Sequence, residues 1–240
     1  MIAPAALYAA IDGTWPAAKF QSVGPWLLRD GQGGGKRVCA ATALAEVADA
    51  DIPAAEGAMR RLGQRPLFMI RDSDAALDAA LAARKYAIVD PVNAYVAPVG
   101  SLTDVPIPRV TAFAIWEPLA IMAEIWANGG IGPERLEVMR RATLKTGILA
   151  RWNDKPAGTG FAAIHDGIAM VHAVEVLPHQ RRQGVAGWIM RRAAFWARDT
   201  GADTFAVLCT QENEAANRLY QRLGFSLLCG YHYRQHPEDS

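Results

Sequence analysis

Two hydrophobic periods alternate along the chain, and the clearer record is in its second half. Thr146–Trp152, Pro156–Ile164 and Ala169–Val176 are short runs of small and β-branched apolar residues, which predict three strands. Asn153-Asp154 and Asp166-Gly167 lie between them as tight-turn signals. From Arg181 to Thr200 the period lengthens to that of a helix, with Val185, Ile189, Ala193 and Trp196 on one buried stripe. Phe205–Cys209 predicts a further strand, and Ala216, Leu219, Tyr220 and Leu223 recur at helical spacing after it. Upstream, Pro118–Asn128 reads as a helix with proline in its first turn and Gly129-Gly130 as its stop. Gly132-Pro133 starts another helix, through about Ala142.

The first half repeats part of this pattern. Pro66–Ile70 reads as a buried strand, and Asp74–Arg84 as a helix with Leu77, Ala80 and Leu81 apolar. Tyr86–Val89 and Ala94–Ala97 read as strands around an Asp90-Pro91 turn. Sliding the second half back by 139 residues places Phe225 on Tyr86, Cys209 on Ile70 and Ala216 on Leu77 without a gap. Trp26–Arg29 and Arg37–Leu44 flank the run Gly31–Gly35 and suggest a hairpin. That glycine run is not a phosphate-binding P-loop. Asp30 stands where the first glycine is needed, and Lys36 is followed by Arg37 rather than serine or threonine. Residues 100–112 have two prolines, a glycine and no period, so they read as a linker. The expected domains are 1–112 and 113–240.

Composition narrows the function classes. The chain has 240 residues, 51% of them hydrophobic, enough for one large or two small packed domains. Its net charge of +1 is spread over interspersed charges of both signs, which argues against a nucleic-acid or membrane-surface protein. No apolar run approaches the roughly 18 residues of a spanning helix. The start, Met1-Ile-Ala-Pro-Ala-Ala6, lacks a charged region and a long apolar core, so no secretory signal is expected. Cys39, Cys209 and Cys229 have no metal-type spacing and read as reduced thiols of a cytoplasmic protein, two of them packed in strands. His232 and His236 are four apart but lie in an aperiodic tail, so no metal site is expected.

The chemistry concentrates in Val176-Leu-Pro-His-Gln-Arg-Arg-Gln-Gly-Val-Ala186. A strand ends at Pro178, a basic glycine turn follows, and a helix begins. Unpaired N–H groups at such a helix start carry partial positive charge and can take a pyrophosphate. Downstream comes Asn213-x-x-Ala216-x-x-Leu219-Tyr220-x-x-x-Gly224-Phe225. With these two motifs in this order, the segment from about Phe113 to Arg234 resembles the GNAT superfamily of acetyl-CoA-dependent N-acetyltransferases. The resemblance implies an α/β (α+β) chain of two GNAT-like units, each a mixed, mostly antiparallel sheet flanked by helices. A splayed acetyl-CoA cleft is expected in the C-terminal unit. The N-terminal unit looks degenerate: Leu81 stands at the position of Tyr220, Asp74 at that of Asn213, and no Arg-x-x-Gly-x-Gly/Ala pattern occurs in it.

The resemblance also implies roles. The backbone of Arg181, Arg182, Gln183, Gly184, Val185 and Ala186 is expected to hold the pyrophosphate. Val174 and Val176 offer main-chain groups to the pantetheine arm, and Asn213 lies near that arm. Tyr220 is the expected acid that returns a proton to the thiolate. His172 resembles a histidine of serotonin N-acetyltransferase that helps deprotonate the amine, although Met170 replaces the outer histidine of that pair. Glu175 is the second candidate base; strand alternation points it away from His172 unless a bulge intervenes. Glu124, Trp126, Glu134 and Tyr231 are acceptor-site candidates by location. The expected activity is direct acetyl transfer to a primary amine, of a metabolite or of a protein N-terminus or lysine, with acetyl-CoA as co-substrate and no metal. A non-catalytic acyl-CoA-binding or regulatory protein is the alternative. A monomer and a homodimer are both compatible with the duplication.

Overall fold

The computed structural model describes residues 2–237. The chain forms two compact units that interleave along the sequence. Unit 1 is Met1–Pro16, Ala94–Leu208 and Glu214–Leu228; unit 2 is Ala17–Asn93, Cys209–Asn213 and Cys229–Ser240. The boundary expected near residue 112 therefore falls inside unit 1. The reason is the length of three strands, each of which begins in one unit and ends in the other: β5 (Ala87–Pro98), β10 (Thr204–Thr210) and β11 (Ser226–Gln235).

In unit 2, β1 (Lys19–Val23), β2 (Trp26–Asp30) and β3 (Thr42–Ala43) form an antiparallel sheet in that order. The expected antiparallel partner of β2 is present but short, with Trp26 facing Ala43 and Leu27 facing Thr42. β2 pairs mainly with β1, Val23 facing Trp26 across the Gly24 turn, and Lys36–Val38 is a short 3-10 turn rather than strand. After α2 (Asp51–Arg61) come β4 (Leu67–Arg71) and α3 (Ala75–Ala83). The later part of β11 lies antiparallel to β4, from Tyr231 opposite Arg71 to Gln235 opposite Leu67. The segment read as an aperiodic tail is therefore strand. His232 and Arg234 both reach Asp78 on α3, at 2.8 and 2.7 Å, and hold its carboxyl below the usual carboxylate range. Trp26, Leu28, Ile52, Met59, Phe68, Ile70 and Leu81 form the core of this unit. The two short strands expected around Asp90-Pro91 are one strand, β5, with Asp90 at φ +45 as a local irregularity.

In unit 1, β6 (Ala112–Ile115), β7 (Leu144–Trp152), β8 (Lys155–His165) and β9 (Ile168–Val176) run antiparallel in sequence, and β10 joins β9 in parallel. Asn153-Asp154 and Asp166-Gly167 all have positive φ, as two-residue hairpin turns require. One face of this sheet carries α6 (Val185–Asp199), whose Ile189 packs where a Cβ on Gly158 or Gly160 would stand. Val185, Ile189 and Ala193 are buried as the helical stripe predicts, while Trp196 is half-buried.

The opposite face takes α1 (Pro4–Thr14) and α4 (Ala120–Asn128), with α5 (Pro133–Arg141) following α4. α1, absent from the sequence reading, buries Leu7, Ala10, Ile11 and Thr14 and packs against β8 and β9. Its apolar residues contribute about 1.5–3 kcal/mol for each large side chain fully removed from water.

The shift of 139 residues that aligns the sequence also aligns some element bounds. α7 (Glu214–Arg222) coincides with α3 under the same shift of 139 residues, and the first residue of β11, Ser226, coincides with that of β5, Ala87.

Candidate active site

The site begins with a fault in the β8–β9 ladder. Gly158 faces Val176 and Thr159 faces Glu175, but Phe161 faces His172, so Ala173 and Val174 together oppose Gly160. This is a β-bulge, and Ala173 takes φ +52 within it. The indole N–H of Trp126 on α4 donates to the Ala173 carbonyl at 2.8 Å. Thr159 and Phe161 are two apart on β8 and share a face, so their partners Glu175 and His172 share that face too. The bulge thus reverses the strict alternation that would have separated them.

β9 and β10 pair from Ile168/Thr204 to Val171/Val207. Residues 172–176 continue β9 past this register toward the basic turn that follows it.

His172 is 5% exposed, with its Nε2 3.0 Å from Thr14 Oγ1. The Thr14 hydroxyl gives its single proton to the Ala10 carbonyl at 2.6 Å, so toward the imidazole it accepts. Nε2 is therefore the donor in this contact. Trp15 and Phe161 pack against the imidazole, with ring centroids 5.2 and 6.2 Å away. Thr14→Val leaves this buried N–H without its acceptor, and the expected loss is about 1–3 kcal/mol of stability, read by thermal unfolding.

Glu175 is half-buried. Desolvation raises its pKa, against the smaller opposing pull of Arg181 and Arg135. A carboxylate perturbed upward in this way is a stronger base than an ordinary glutamate. Its carboxyl group lies against Gly129, the residue that ends α4.

The anion cradle follows β9. Pro178–Gln180 make a 3-10 turn, Arg182 and Gly184 take φ +64 and +80, and α6 starts at Val185. The helix thus begins four residues later than the sequence suggests, because the basic turn is the loop itself. Among the described residues, no backbone acceptor is recorded for the amides of 182–187. Residues 181–184 are exposed, and nothing lies within 4 Å of where a Cβ on Gly184 would stand. Unpaired amides at an open helix start fit a pyrophosphate, which would accept several of these N–H bonds together. Arg181 Nε donates to the Val176 carbonyl at 3.1 Å and so ties the cradle to the end of β9.

In unit 2, α2 precedes β4 as α6 precedes β10, and it carries Asp51 in its first turn, whose carboxylate accepts from the Ala48 N–H at 2.9 Å. A negative side chain at this helix start opposes a second anion.

Tyr220 sits in the last turn of α7 and is 7% exposed, against Phe225 at 5.8 Å and Tyr95 at 6.1 Å between ring centroids. Asn213, which belongs to unit 2, immediately precedes α7 and donates its backbone N–H to the Thr210 carbonyl at 3.1 Å. Of the acceptor-site candidates, Trp126 is fully buried and serves the bulge, while Glu124 and Glu134 are exposed; Tyr231 is buried in unit 2. Sequence reasoning missed Thr14, Gly129 and the role of Trp126. No local pattern signalled them.

The model of the acetyltransferase (GNAT) family matches residues 118–225, from two residues before α4 to three residues after α7. A Bacillus subtilis (strain 168) protein described as an uncharacterized N-acetyltransferase, YobR, is 28% identical over 233 residues, covering 92% of this chain and 94% of that protein. Among solved structures, a GCN5-related N-acetyltransferase from Kribbella flavida superposes with a TM-score of 0.71 at 19% identity, over 99% of this chain and 97% of that one. A tandem GNAT protein from the clavulanic acid biosynthesis pathway gives a TM-score of 0.59 at 13% identity, over 81% of this chain and 74% of that one. These structural likenesses concern the fold. The cradle and the bulged end of β9 fall within residues 118–225, the segment that is similar to the acetyltransferase (GNAT) family.

Proposed function

We propose that unit 1 transfers an acetyl group from acetyl-CoA directly to a primary amine, of a small molecule or of a protein. The observation that carries this reading is the convergence of two features at the end of β9. They are the unpaired amides at the start of α6 and a desolvated carboxylate on the strand before them. Acetyl-CoA, when bound, supplies the thioester carbonyl that the amine attacks. The amides of 182–187 hold its pyrophosphate, and residues 172–176 offer main-chain groups to its pantetheine amides as an added strand would.

Glu175 accepts the proton that the attacking amine must lose, and Tyr220 gives a proton to the departing sulfur, so no acyl-enzyme is needed. His172, with its Nε2–H committed to Thr14, fixes β9 against α1. Unit 2 is the degenerate, non-catalytic partner.

Thiol release from acetyl-CoA over a panel of amines and peptide N-termini tests this reading, with Tyr220→Phe beside the wild type. The expected outcome is release with one acceptor class and a roughly 10²-fold lower kcat/KM in the variant, with acetyl-CoA affinity retained. Wild-type binding of acetyl-CoA without release for any acceptor would leave the non-catalytic binding protein as the reading.

A further inference from the structure

Two glycines follow α4, and they are there for different reasons. Gly130 takes φ +78, with open space where its Cβ would stand; it is a backbone requirement at the helix end. Gly129 has φ −88, which any residue adopts. What it lacks is room. A Cβ there would meet Cδ of Glu175 at 2.4 Å, Oε2 at 2.6 Å and Cγ at 2.7 Å. The missing side chain of Gly129 is the space that the Glu175 carboxylate fills.

One turn earlier on the same helix, Trp126 donates its indole N–H to the bulged Ala173 carbonyl. Without the bulge, alternation along β9 would turn Glu175 to the face covered by α6. The bulge requires an alanine at φ +52, a conformation L-residues disfavour, so it needs support from outside the strand. The buried indole supplies that support.

We propose that Trp126 and Gly129 are positioning residues: the C-terminal end of α4 aims Glu175, Trp126 by pinning the bulge and Gly129 by making room for the carboxylate. The proposal rests on the reading of Glu175 as the base. The charged groups recorded as acting on Glu175 are Arg181 of the cradle and Arg135 of α5, and neither is altered by changes at 126 or 129.

The experiment measures kcat/KM against pH for Gly129→Ala and Trp126→Phe, each made in the wild type and in Glu175→Gln. The atoms a Cβ at 129 would meet are those of a flexible side chain, so Gly129→Ala displaces the carboxylate without disturbing a backbone. Its melting temperature and acetyl-CoA affinity are expected to stay near wild type. The expected loss is roughly 10²-fold in kcat/KM, the scale of a misplaced catalytic group, with the acidic limb of the profile displaced. Trp126→Phe, which keeps an aromatic side chain but removes the N–H and one of the two fused rings, is expected to give a smaller loss in the same direction. In Glu175→Gln neither change should lower the residual rate further.

A wild-type rate and acidic limb in Gly129→Ala would overturn the proposal. Equal fractional losses in both backgrounds would overturn it too, while leaving Glu175 as the base. Full activity of Glu175→Gln by itself would overturn both.

Discussion

Glu175→Gln is expected to lower kcat/KM by about 10²–10⁴-fold while raising the melting temperature. The two effects have one cause. Desolvation raises the pKa of Glu175 in the folded protein, so the folded state binds this proton more tightly than the unfolded chain does. Between the unfolded and folded pKa values, stability therefore falls as pH rises, and above both the ionised carboxylate costs folding free energy. Glutamine keeps the shape and removes that cost, together with the base. The wild-type acidic limb of kcat/KM should accordingly lie above the ordinary glutamate range, with activity lost as pH falls through it. A structural role for Glu175 predicts the opposite pairing, lower stability with turnover largely kept. Steady-state kinetics across pH and thermal unfolding of the same two proteins separate the cases.

Gly184→Val is expected to weaken acetyl-CoA binding by about 5- to 150-fold, from the roughly 1–3 kcal/mol that a left-handed conformation costs a non-glycine residue. The site is open, so the cost is conformational and not a collision. Gly184 stands at φ +80 directly before α6, and a β-branched residue relieves its strain by rotating the amides that should converge on the pyrophosphate. Because residues 181–184 are exposed, the core stripe of Val185, Ile189 and Ala193 should survive, and far-ultraviolet dichroism should match wild type. Intrinsic fluorescence titrated with acetyl-CoA reports the affinity. Unchanged affinity would place the pyrophosphate elsewhere.

The parts of this fold that the sequence made legible are those with strong local chemistry. Asp166-Gly167 demands two left-handed residues and obtains them. The stripe on α6 is set by side-chain spacing alone. The repeat is visible because α3 and α7 have the same length and β5 and β11 start at matching positions, although β5 and β11 each run from one unit into the other, which no local pattern encodes.

α1 and α2 escaped notice for different reasons. Ala-rich residues 4–14 offer little polar contrast, and the Ile52, Ala55 and Met59 stripe of α2 is interrupted by Pro53 and Gly57.

At the site, the Arg181–Ala186 cradle was readable because its chemistry lies in the backbone of a contiguous motif. The facing of Glu175 was not. It depends on a one-residue register shift between β8 and β9, stabilised by a tryptophan nearly fifty residues upstream. His172 was legible as a titratable residue on the right strand, but its proton assignment comes from Thr14, which is distant in sequence.

Hydrogen–deuterium exchange of the wild-type protein with and without acetyl-CoA tests the central claim most directly. The account predicts new protection confined chiefly to the amides of 182–187 and to residues 172–176, with none at the start of α2. Protection at the N-terminus of α2, or binding that leaves 182–187 exchanging as fast as before, would contradict it.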